Sequence, residues 1–253
     1  MPRKARKKSY TGVYHIMLRG INRQTIFEDD EDKNKFIEAL AKYKKISGFE
    51  LYGYCLMDNH VHLLVKERQE PLSTALKRIS SSYVYWYNRK NNRCGHLFQE
   101  RFKSENVESD AYFITALRYI HQNPLKAGLV NSVWDSKWTS IYEYLHKGEI
   151  TDIDRGLNLF SQDRKSAIER FIVYMQEDNE DQCLDLTQRV KLSDDQVREY
   201  FRKLGVTSNS MLQQMNKEKR NEILTQVKKL KGVSIRQISR VTGISKSVID
   251  RIK

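Results

Sequence analysis

Two histidines separated by one residue are the strongest chemical signal in the sequence. His60 and His62 fall in a β-rich run that ends at Val65, and side chains two residues apart on a strand point to the same face. Both imidazoles can therefore approach one metal ion, while Val61 packs on the opposite face. The other interpretation is a pair of hydrogen-bonded histidines at a hairpin, and the two histidines alone favour it.

Tyr119 and Asn123 shift that balance towards a metal site. They are four residues apart in a predicted helix, so a phenol and an amide oxygen lie on one helix face and can reach the same ion. A tyrosine within an apolar helical pattern usually belongs to the core, and the chain has 14 tyrosines. Tyr119 is therefore interpreted as a nucleophile only together with the histidine pair.

The chemistry that these residues predict is metal-assisted attack on a phosphate. A phenol, with an ordinary pKa of about 10, is a weak nucleophile at neutral pH. A divalent ion polarises the phosphate, and nearby Lys or Arg side chains favour the phenolate. Two imidazoles and one amide leave coordination positions open, as a catalytic site requires. These ligands suit Mn²⁺, and Mg²⁺ is the alternative.

The segments around these residues predict an α+β fold. Their order is strand, helix, hairpin, helix, strand, helix, which indicates a ferredoxin-like antiparallel sheet with helices on one face. Parallel winding is disfavoured because a tight turn at Asp58 and Asn59 joins the central strands. The predicted strands are 13–18, 49–57, 60–65 and an irregular 96–107. The predicted helices are 31–45, 72–88 and a segment that begins at Ser109 or Asp110 and ends near Gln122, before Pro124 and Gly128.

Beyond about residue 150 the strand signals end and the chain is charged and helical. We predict a site-bearing domain at 1–150, a helical connecting segment at 151–185 and an all-α module at 186–253, with helices at 166–176, 193–204 and 210–230. Residues 233–253 have serines that can cap two helices and a glycine between them, the spacing of a helix-turn-helix whose second helix can enter a DNA major groove. Helical hairpins with glycine are also common in proteins that do not bind DNA.

The chain is strongly basic. It has 45 Lys and Arg against 32 Asp and Glu, a net charge of +13 over 253 residues, which favours an anionic polymer, and nucleic acid first, as the partner. There is no apolar run of about 18 residues and no leader-like apolar segment near the start. We therefore expect no membrane association and a cytoplasmic location. The three cysteines are widely spaced and predict neither a disulfide framework nor a C-x-x-C metal site.

Several separated motifs resemble one family. Residues 55–65 (CLMDNHVHLLV), 95–103 (GHLFQERFK) and 118–130 (RYIHQNPLKAGLV), with 19–24 (RGINRQ) and 138–142 (WTSIY), are similar to the REP-associated tyrosine transposases, a branch of the single-tyrosine HUH superfamily. The resemblance covers roughly residues 8–145 and extends to about 178. Several motifs in the right order are far more specific than any one of them.

The resemblance implies an enzyme that cuts and rejoins single-stranded hairpin DNA with the help of one divalent ion, Mg²⁺ or Mn²⁺. His60 and His62 match the family's metal-binding histidines, and Asn123 matches the additional amide ligand. Tyr119 matches the nucleophile that becomes joined to a 5′ phosphate and leaves a free 3′ hydroxyl. His121 occupies a position that varies in the family and, two residues from Tyr119 on a helix, points elsewhere, so we expect it to be structural.

Basic residues in or near these motifs are candidates for phosphate contacts. Any single Lys or Arg is more often part of a solvated face, so the alternative stays open for each of them. The candidates are Arg19, Arg23, Arg101, Lys103, Arg118 and Lys126.

Two other functions remain possible on the sequence alone. The first is a catalytically silent DNA-binding regulator that keeps the fold as a recognition surface. The second is a metal-dependent phosphodiesterase that uses water in place of Tyr119. In either case the C-terminal module could bind duplex DNA, and no repeat or heptad decides between a monomer and a homodimer.

Overall fold

The computed structural model describes residues 6–99, 101–181, 183–184, 194–207, 209–230 and 233–252. Strands and helices alternate through the part of the chain that carries the predicted site, in the predicted order. The strands are β1 (Val13–Arg19), β2 (Glu50–Met57), β3 (His60–Lys66) and β4 (Lys103–Asn106), and the helices between and after them are α1 (Asp30–Ser47), α2 (Leu72–Lys90) and α3 (Asp110–Lys126).

The strands form one antiparallel sheet in the order β2-β3-β1-β4. Asp58 and Asn59 form the hairpin turn between β2 and β3, as the sequence predicts. β1 pairs with both β3 and β4 and so lies inside the sheet. The irregular strand predicted over 96–107 is shorter, since only β4 and an isolated bridge between Gly20 and Phe98 pair with this sheet. The predicted α+β antiparallel architecture is confirmed.

Helices cover both faces of the sheet, so the prediction of helices on one face is wrong. One core lies between the sheet and α1 and α2, and Leu63 and Phe36 belong to it. The other lies between the sheet and α3, and Leu64 and Leu117 belong to it. The physical reason is that every residue of β3 from Val61 to Val65 is buried, and a strand that is buried on both faces needs cover on both faces.

The helix α3 runs past its predicted end. Ser109 caps its start by accepting a hydrogen bond from the Tyr112 backbone, but the helix continues through Pro124 to Lys126 instead of ending near Gln122. Proline lacks one backbone donor, so the Ile120 carbonyl loses the helical partner that residue 124 would supply. That single loss in the last turn does not end the helix before Lys126. Asn123 is therefore helical, in register with Tyr119.

Short helices follow and complete the second core. They are α4 (Ile141–Leu145), α5 (Ile153–Asn158) and α6 (Arg164–Gln176). Before α4, the chain passes along β2, where Leu56 N donates to the Trp138 carbonyl at 2.8 Å and Tyr54 N donates to Ser140 Oγ at 3.0 Å. This segment gives β2 a hydrogen-bonded neighbour on its outer edge.

The chain divides into two compact units, Met1–Leu184 and Asp185–Lys253. The predicted boundary between 185 and 186 lies outside the described residues. The described helices of the second unit are α7 (Asp194–Lys203), α8 (Asn209–Gln214), α9 (Lys217–Lys229), α10 (Ile235–Thr242) and α11 (Lys246–Arg251).

The second unit has its own apolar core, to which Val197, Leu224 and Ile238 contribute. The single helix predicted over 210–230 is two helices, because Asn216 caps α9 by accepting from Lys219 N, and asparagine favours a cap over a helix interior.

The helices α10 and α11 correspond to the predicted helical pair at the C-terminus. Ser234 caps α10 by accepting from Gln237 N, Gly243 ends it in the left-handed conformation at φ 72°, and Ser245 precedes α11. A left-handed residue after a helix favours glycine because it has no Cβ. The DNA-binding role of this pair stays a prediction.

Within the part of the chain that the structure describes, no helix is long and apolar enough to cross a membrane.

The contact between α3 and β2 depends on a residue without a side chain, and this can be tested. A methyl group at Gly53 would lie 2.9 Å from Leu117 Cδ1, so we expect Gly53→Ala to lower the free energy of unfolding by about 1–3 kcal/mol, as overpacking does. Urea denaturation of the full chain measures this free energy from the unfolding transition of the first unit.

The control is the same substitution in a Leu117→Ala background, where the space is open. The cost of Gly53→Ala should then largely disappear. An equal cost in both backgrounds would show that the contact with α3 is not the reason for the glycine.

Candidate active site

The register of the sheet places the histidine pair on the face that α3 covers. His60 and His62 begin β3 directly after the hairpin turn, and their ring centroids are 4.9 Å apart. His62 is 1% exposed, while His60 is half-buried. Side chains alternate along a strand, so both imidazoles share the face of Leu64, which packs in the core under α3.

The helix α3 brings Tyr119 to the same face. The ring centroid of Tyr119 lies 5.7 Å from that of His62 and 5.8 Å from that of His15. The side chain of Tyr119 is 6% exposed. Its burial follows from the short distance between α3 and β2 at Gly53. A phenol and a pair of imidazoles from distant parts of the chain therefore meet on one side of the sheet.

Asn123 lies one turn beyond Tyr119 on α3 and is half-buried. Its backbone carbonyl accepts from Ala127 N at 3.0 Å. Among the described residues, no group of three or more His, Cys, Asp or Glu side chains could hold a metal ion. An ion at this site would therefore depend on the two imidazoles with an amide oxygen and oxygens of solvent or substrate, which is the open coordination of a catalytic site.

Hydrogen bonds orient both imidazoles. His60 Nδ1 lies 2.6 Å from Asn59 Oδ1, which can only accept, so Nδ1 carries the proton. His62 Nδ1 lies 2.9 Å from His15 Nε2. In each ring Nδ1 is engaged by a neighbour, which makes Nε2 the natural metal-binding nitrogen. The site fits a divalent ion in this respect.

Burial keeps the inner histidines uncharged. Burial, and then the neighbouring His15 and His60, lower the pKa of His62 well below its ordinary value. Burial alone lowers the pKa of His15 to about 3. Two neutral imidazoles can share one hydrogen bond, whereas two cations at this distance would repel. The lone pairs that a metal needs are therefore present at neutral pH.

His15 is the site residue that the sequence did not identify. It lies in β1, opposite Leu64 of β3, and it is fully buried. The only sequence signal was a polar residue inside an otherwise apolar strand. Pairing it with His62 requires the register between β1 and β3, which motif spacing does not provide.

Two of the predicted basic residues flank the histidines. Arg19 of β1 is directly opposite His60, and Lys103 of β4 is directly opposite Met17, whose other neighbour across the sheet is His62. Residues directly opposite in an antiparallel sheet project to the same face, so Arg19 and Lys103 share the face of the histidines. Arg23 follows β1 and Arg101 precedes β4, and both side chains are exposed.

Part of the chain is similar to known transposases. Residues 8–123 match the family described as Transposase IS200 like. The matched residues make up a little less than half of the chain. A Haemophilus influenzae protein whose name assigns it to the REP-associated tyrosine transposases is 26% identical over 136 residues, which are 49% of this chain and 77% of that protein. The resemblance seen in the sequence is thereby confirmed, and it supports a DNA-processing role for the part of the chain that matches.

One solved structure supports the fold. A REP-associated tyrosine transposase bound to a REP hairpin aligns with a TM-score of 0.51 at 18% identity, over 61% of this chain and 96% of that one. A Deinococcus radiodurans protein assigned as a transposase aligns at 20% identity over 48% of this chain and 97% of its own, with a TM-score of 0.34. The first of these shows that the chain shares the fold of that solved structure.

Two of the predicted basic residues make hydrogen bonds to other side chains of the first unit. Arg118 is 8% exposed, and its guanidinium donates to Asp181 at 2.8 Å and to Glu177 at 3.0 Å. Lys126 Nζ donates to Asn179 Oδ1 at 2.7 Å and lies 5.7 Å from the ring centroid of Tyr119. Both residues attach the segment after α6 to α3, and Lys126 remains exposed beside the tyrosine.

His121 is structural, as the helix geometry predicted. It is fully buried, and its Nε2 is 2.8 Å from Ser140 Oγ. Its ring lies against Tyr144 and Phe171, with centroids 5.6 and 6.1 Å away. Burial lowers its pKa to about 3.

The lowered pKa of His121 predicts a loss of stability in acid. The unfolded chain takes up a proton below about pH 6.5, whereas the folded chain does not until about pH 3. Stability is therefore complete above pH 6.5 and falls as the pH decreases. One such group costs about 2 kcal/mol by pH 5.

Denaturation of the wild type and of His121→Gln at pH 7 and pH 5 measures this effect. The variant keeps a polar group near Ser140 but has no proton to take up, so it should lose about 2 kcal/mol less than the wild type. Equal losses in the two proteins would contradict the assignment.

Proposed function

We propose that this chain is a single-strand DNA endonuclease and strand transferase of the single-tyrosine HUH type. The observation that carries the proposal is the 5.7 Å separation of the Tyr119 and His62 rings, on the face that His60 shares. A phenol beside a histidine pair, in residues that match a transposase family, suits the formation of a phosphotyrosine bond.

A divalent ion, Mg²⁺ or Mn²⁺, fits the donor set of the site. His60 and His62 would hold it through Nε2, because their Nδ1 atoms are engaged by Asn59 and His15, and Asn123 would add an amide oxygen. When bound, the ion polarises the scissile phosphate and stabilises the charge that develops on its oxygens.

Tyr119 supplies the nucleophile. Its phenol oxygen attacks the scissile phosphorus, the bond from phosphorus to the 3′ oxygen breaks, and the phenol proton passes to water. The departing 3′ oxygen takes a proton from water, so the products are a 5′-phosphotyrosine and a free 3′ hydroxyl. The new bond keeps the energy of the phosphodiester, and attack by a 3′ hydroxyl on it joins strands without ATP.

Hairpin-forming single-stranded DNA is the substrate that we propose. The solved relative with the same fold is bound to a REP hairpin. In this chain Arg19 and Lys103 share the face of the histidines, and Arg23 and Arg101 lie exposed in the segments beside them. These four side chains would neutralise phosphates around the scissile bond, with Lys126 beside Tyr119.

The second unit is proposed to bind duplex DNA. In its C-terminal helical pair, α11 presents exposed Lys246, Ser247 and Arg251, while Ile249 is buried in the core. Lys228 of α9 donates to the Ile249 carbonyl at 3.2 Å, which fixes the end of α11. The second helix of the pair is thus held by a contact with α9 and has basic side chains on its exposed side. Such a helix suits entry into a major groove.

Tyr119→Phe tests the nucleophile. The variant should keep its affinity for hairpin DNA and lose cleavage by a factor on the order of 10³ or more, because the attacking oxygen is gone. The measurement uses 5′- and 3′-labelled hairpin oligonucleotides with Mn²⁺ or Mg²⁺ on a denaturing gel, where the wild type should form an SDS-resistant adduct.

Tyr112→Phe, on the same helix and partly buried, is the matched control and should form the adduct like the wild type. Full cleavage by Tyr119→Phe, with both ends released free, would establish the hydrolase instead. Tight binding without an adduct in the wild type, across hairpins from the gene's own flanks, would establish the regulator.

Charge reversal on α11 tests the second unit. Lys246→Glu combined with Arg251→Glu should weaken binding to duplex DNA by about 10-fold or more, because each basic side chain that contacts a phosphate adds to affinity. Hairpin cleavage should stay unchanged. Fluorescence anisotropy with labelled duplexes measures the affinity.

The control reverses two exposed charges on α9, Lys217→Glu with Lys219→Glu. These changes should affect binding much less, although they alter the net charge equally. Equal losses in the two double variants would mean that only overall charge matters and that α11 does not enter a groove.

A further inference from the structure

His15 lies beside both the proposed metal ligand and the proposed nucleophile. Its ring centroid is 5.1 Å from that of His62 and 5.8 Å from that of Tyr119. It is fully buried in the central strand β1. A polar ring in such a position is costly to bury, so its contacts should explain why it is there.

The hydrogen bond between the two histidines has two possible directions. If His15 Nε2 donates to His62 Nδ1, the proton of neutral His62 lies on Nε2, which then cannot bind a metal ion. If His62 Nδ1 donates to His15 Nε2, the lone pair of His62 is on Nε2 and can bind the ion. The distance of 2.9 Å allows either direction, but only the second is compatible with a metal site.

We propose that His15 is the positioning residue of the metal site: its Nε2 accepts the Nδ1 proton of His62 and thereby fixes the ring and tautomer in which His62 binds the ion. The inference rests on the proposed function. It makes His15 the counterpart of Asn59, which accepts the Nδ1 proton of His60 at 2.6 Å. Each proposed ligand thus has its own acceptor, one from the hairpin turn and one from β1.

The surroundings of His15 agree with this role. In the productive tautomer the proton of His15 lies on Nδ1, an atom that is buried and has no hydrogen-bond partner. Leaving a buried donor unsatisfied lowers the stability of the fold. A side chain that served stability alone would not be expected to carry that cost. By contrast, a hydrogen-bond acceptor for the ring nitrogen that does not bind the ion raises a histidine's affinity for that ion.

Mn²⁺ binding to the full chain without DNA tests the proposal, with free Mn²⁺ measured by electron paramagnetic resonance. His15→Phe fills the same space and removes the acceptor, and it should weaken Mn²⁺ binding by about 10- to 100-fold. His15→Gln can present an oxygen near the position of Nε2 and should recover most of the affinity. Far-UV circular dichroism and a thermal melt confirm that each variant is folded.

His121→Phe is the matched control, because His121 is equally buried and also bonded through Nε2, but to Ser140. It should bind Mn²⁺ like the wild type. A folded His15→Phe protein with wild-type affinity would overturn the proposal, as would equal weakening by His121→Phe.

Nitrogen-15 NMR of the histidine side chains in the wild type, with Zn²⁺ as a diamagnetic probe, tests the tautomer even if His15→Phe does not fold. The proposal requires the His62 proton on Nδ1 and an unprotonated His15 Nε2. A proton on His15 Nε2 in the Zn²⁺-bound protein would overturn it.

His60→Ala separates this inference from the proposed function. If the wild type binds Mn²⁺ and His60→Ala does not, while His15→Phe binds normally, only the role of His15 fails. If His60→Ala binds as tightly as the wild type, the metal site itself is wrong, and both proposals fail together.

Discussion

The close approach of α3 to the β2–β3 hairpin is the constraint on which the site depends. At Gly53 the sheet has no side chain, and Leu117 of α3 occupies the space. Two residues further along α3, the ring centroid of Tyr119 lies 5.7 Å from that of His62. A helix set farther from the sheet would leave the phenol away from the imidazoles, and no other element of the described structure brings them together.

The same packing determines the protonation of the site. Covering the sheet with α3 removes His15 and His62 from water, and burial is the main cause that lowers the pKa of each ring. The imidazoles are neutral as a result, and hydrogen bonds from β1 and the hairpin turn orient them. The apolar contacts that hold α3 in place therefore also keep the His15 and His62 rings uncharged.

Contacts on its outer side also hold α3 in place. Arg118 pairs with Asp181 and Glu177, and Gln122 donates to the Met175 carbonyl at 2.8 Å. Lys126 adds a bond to Asn179. These residues are spaced by four along the helix and so form one stripe. The helix that carries the proposed nucleophile is therefore fixed from the sheet side by apolar contacts and from the other side by charged and polar ones.

Local patterns in the sequence determined the order of elements, the Asp58–Asn59 turn and the candidate residues His60, His62, Tyr119 and Asn123, because strand and helix periods and turn chemistry are properties of neighbours in the chain. Only the tertiary structure decided the cover on both faces, the extension of α3 past Pro124 and the contact between His15 and His62. Each of these depends on which residues meet across strands and between layers. Strand register and helix packing determine these contacts. Residues that are far apart in the chain specify both together.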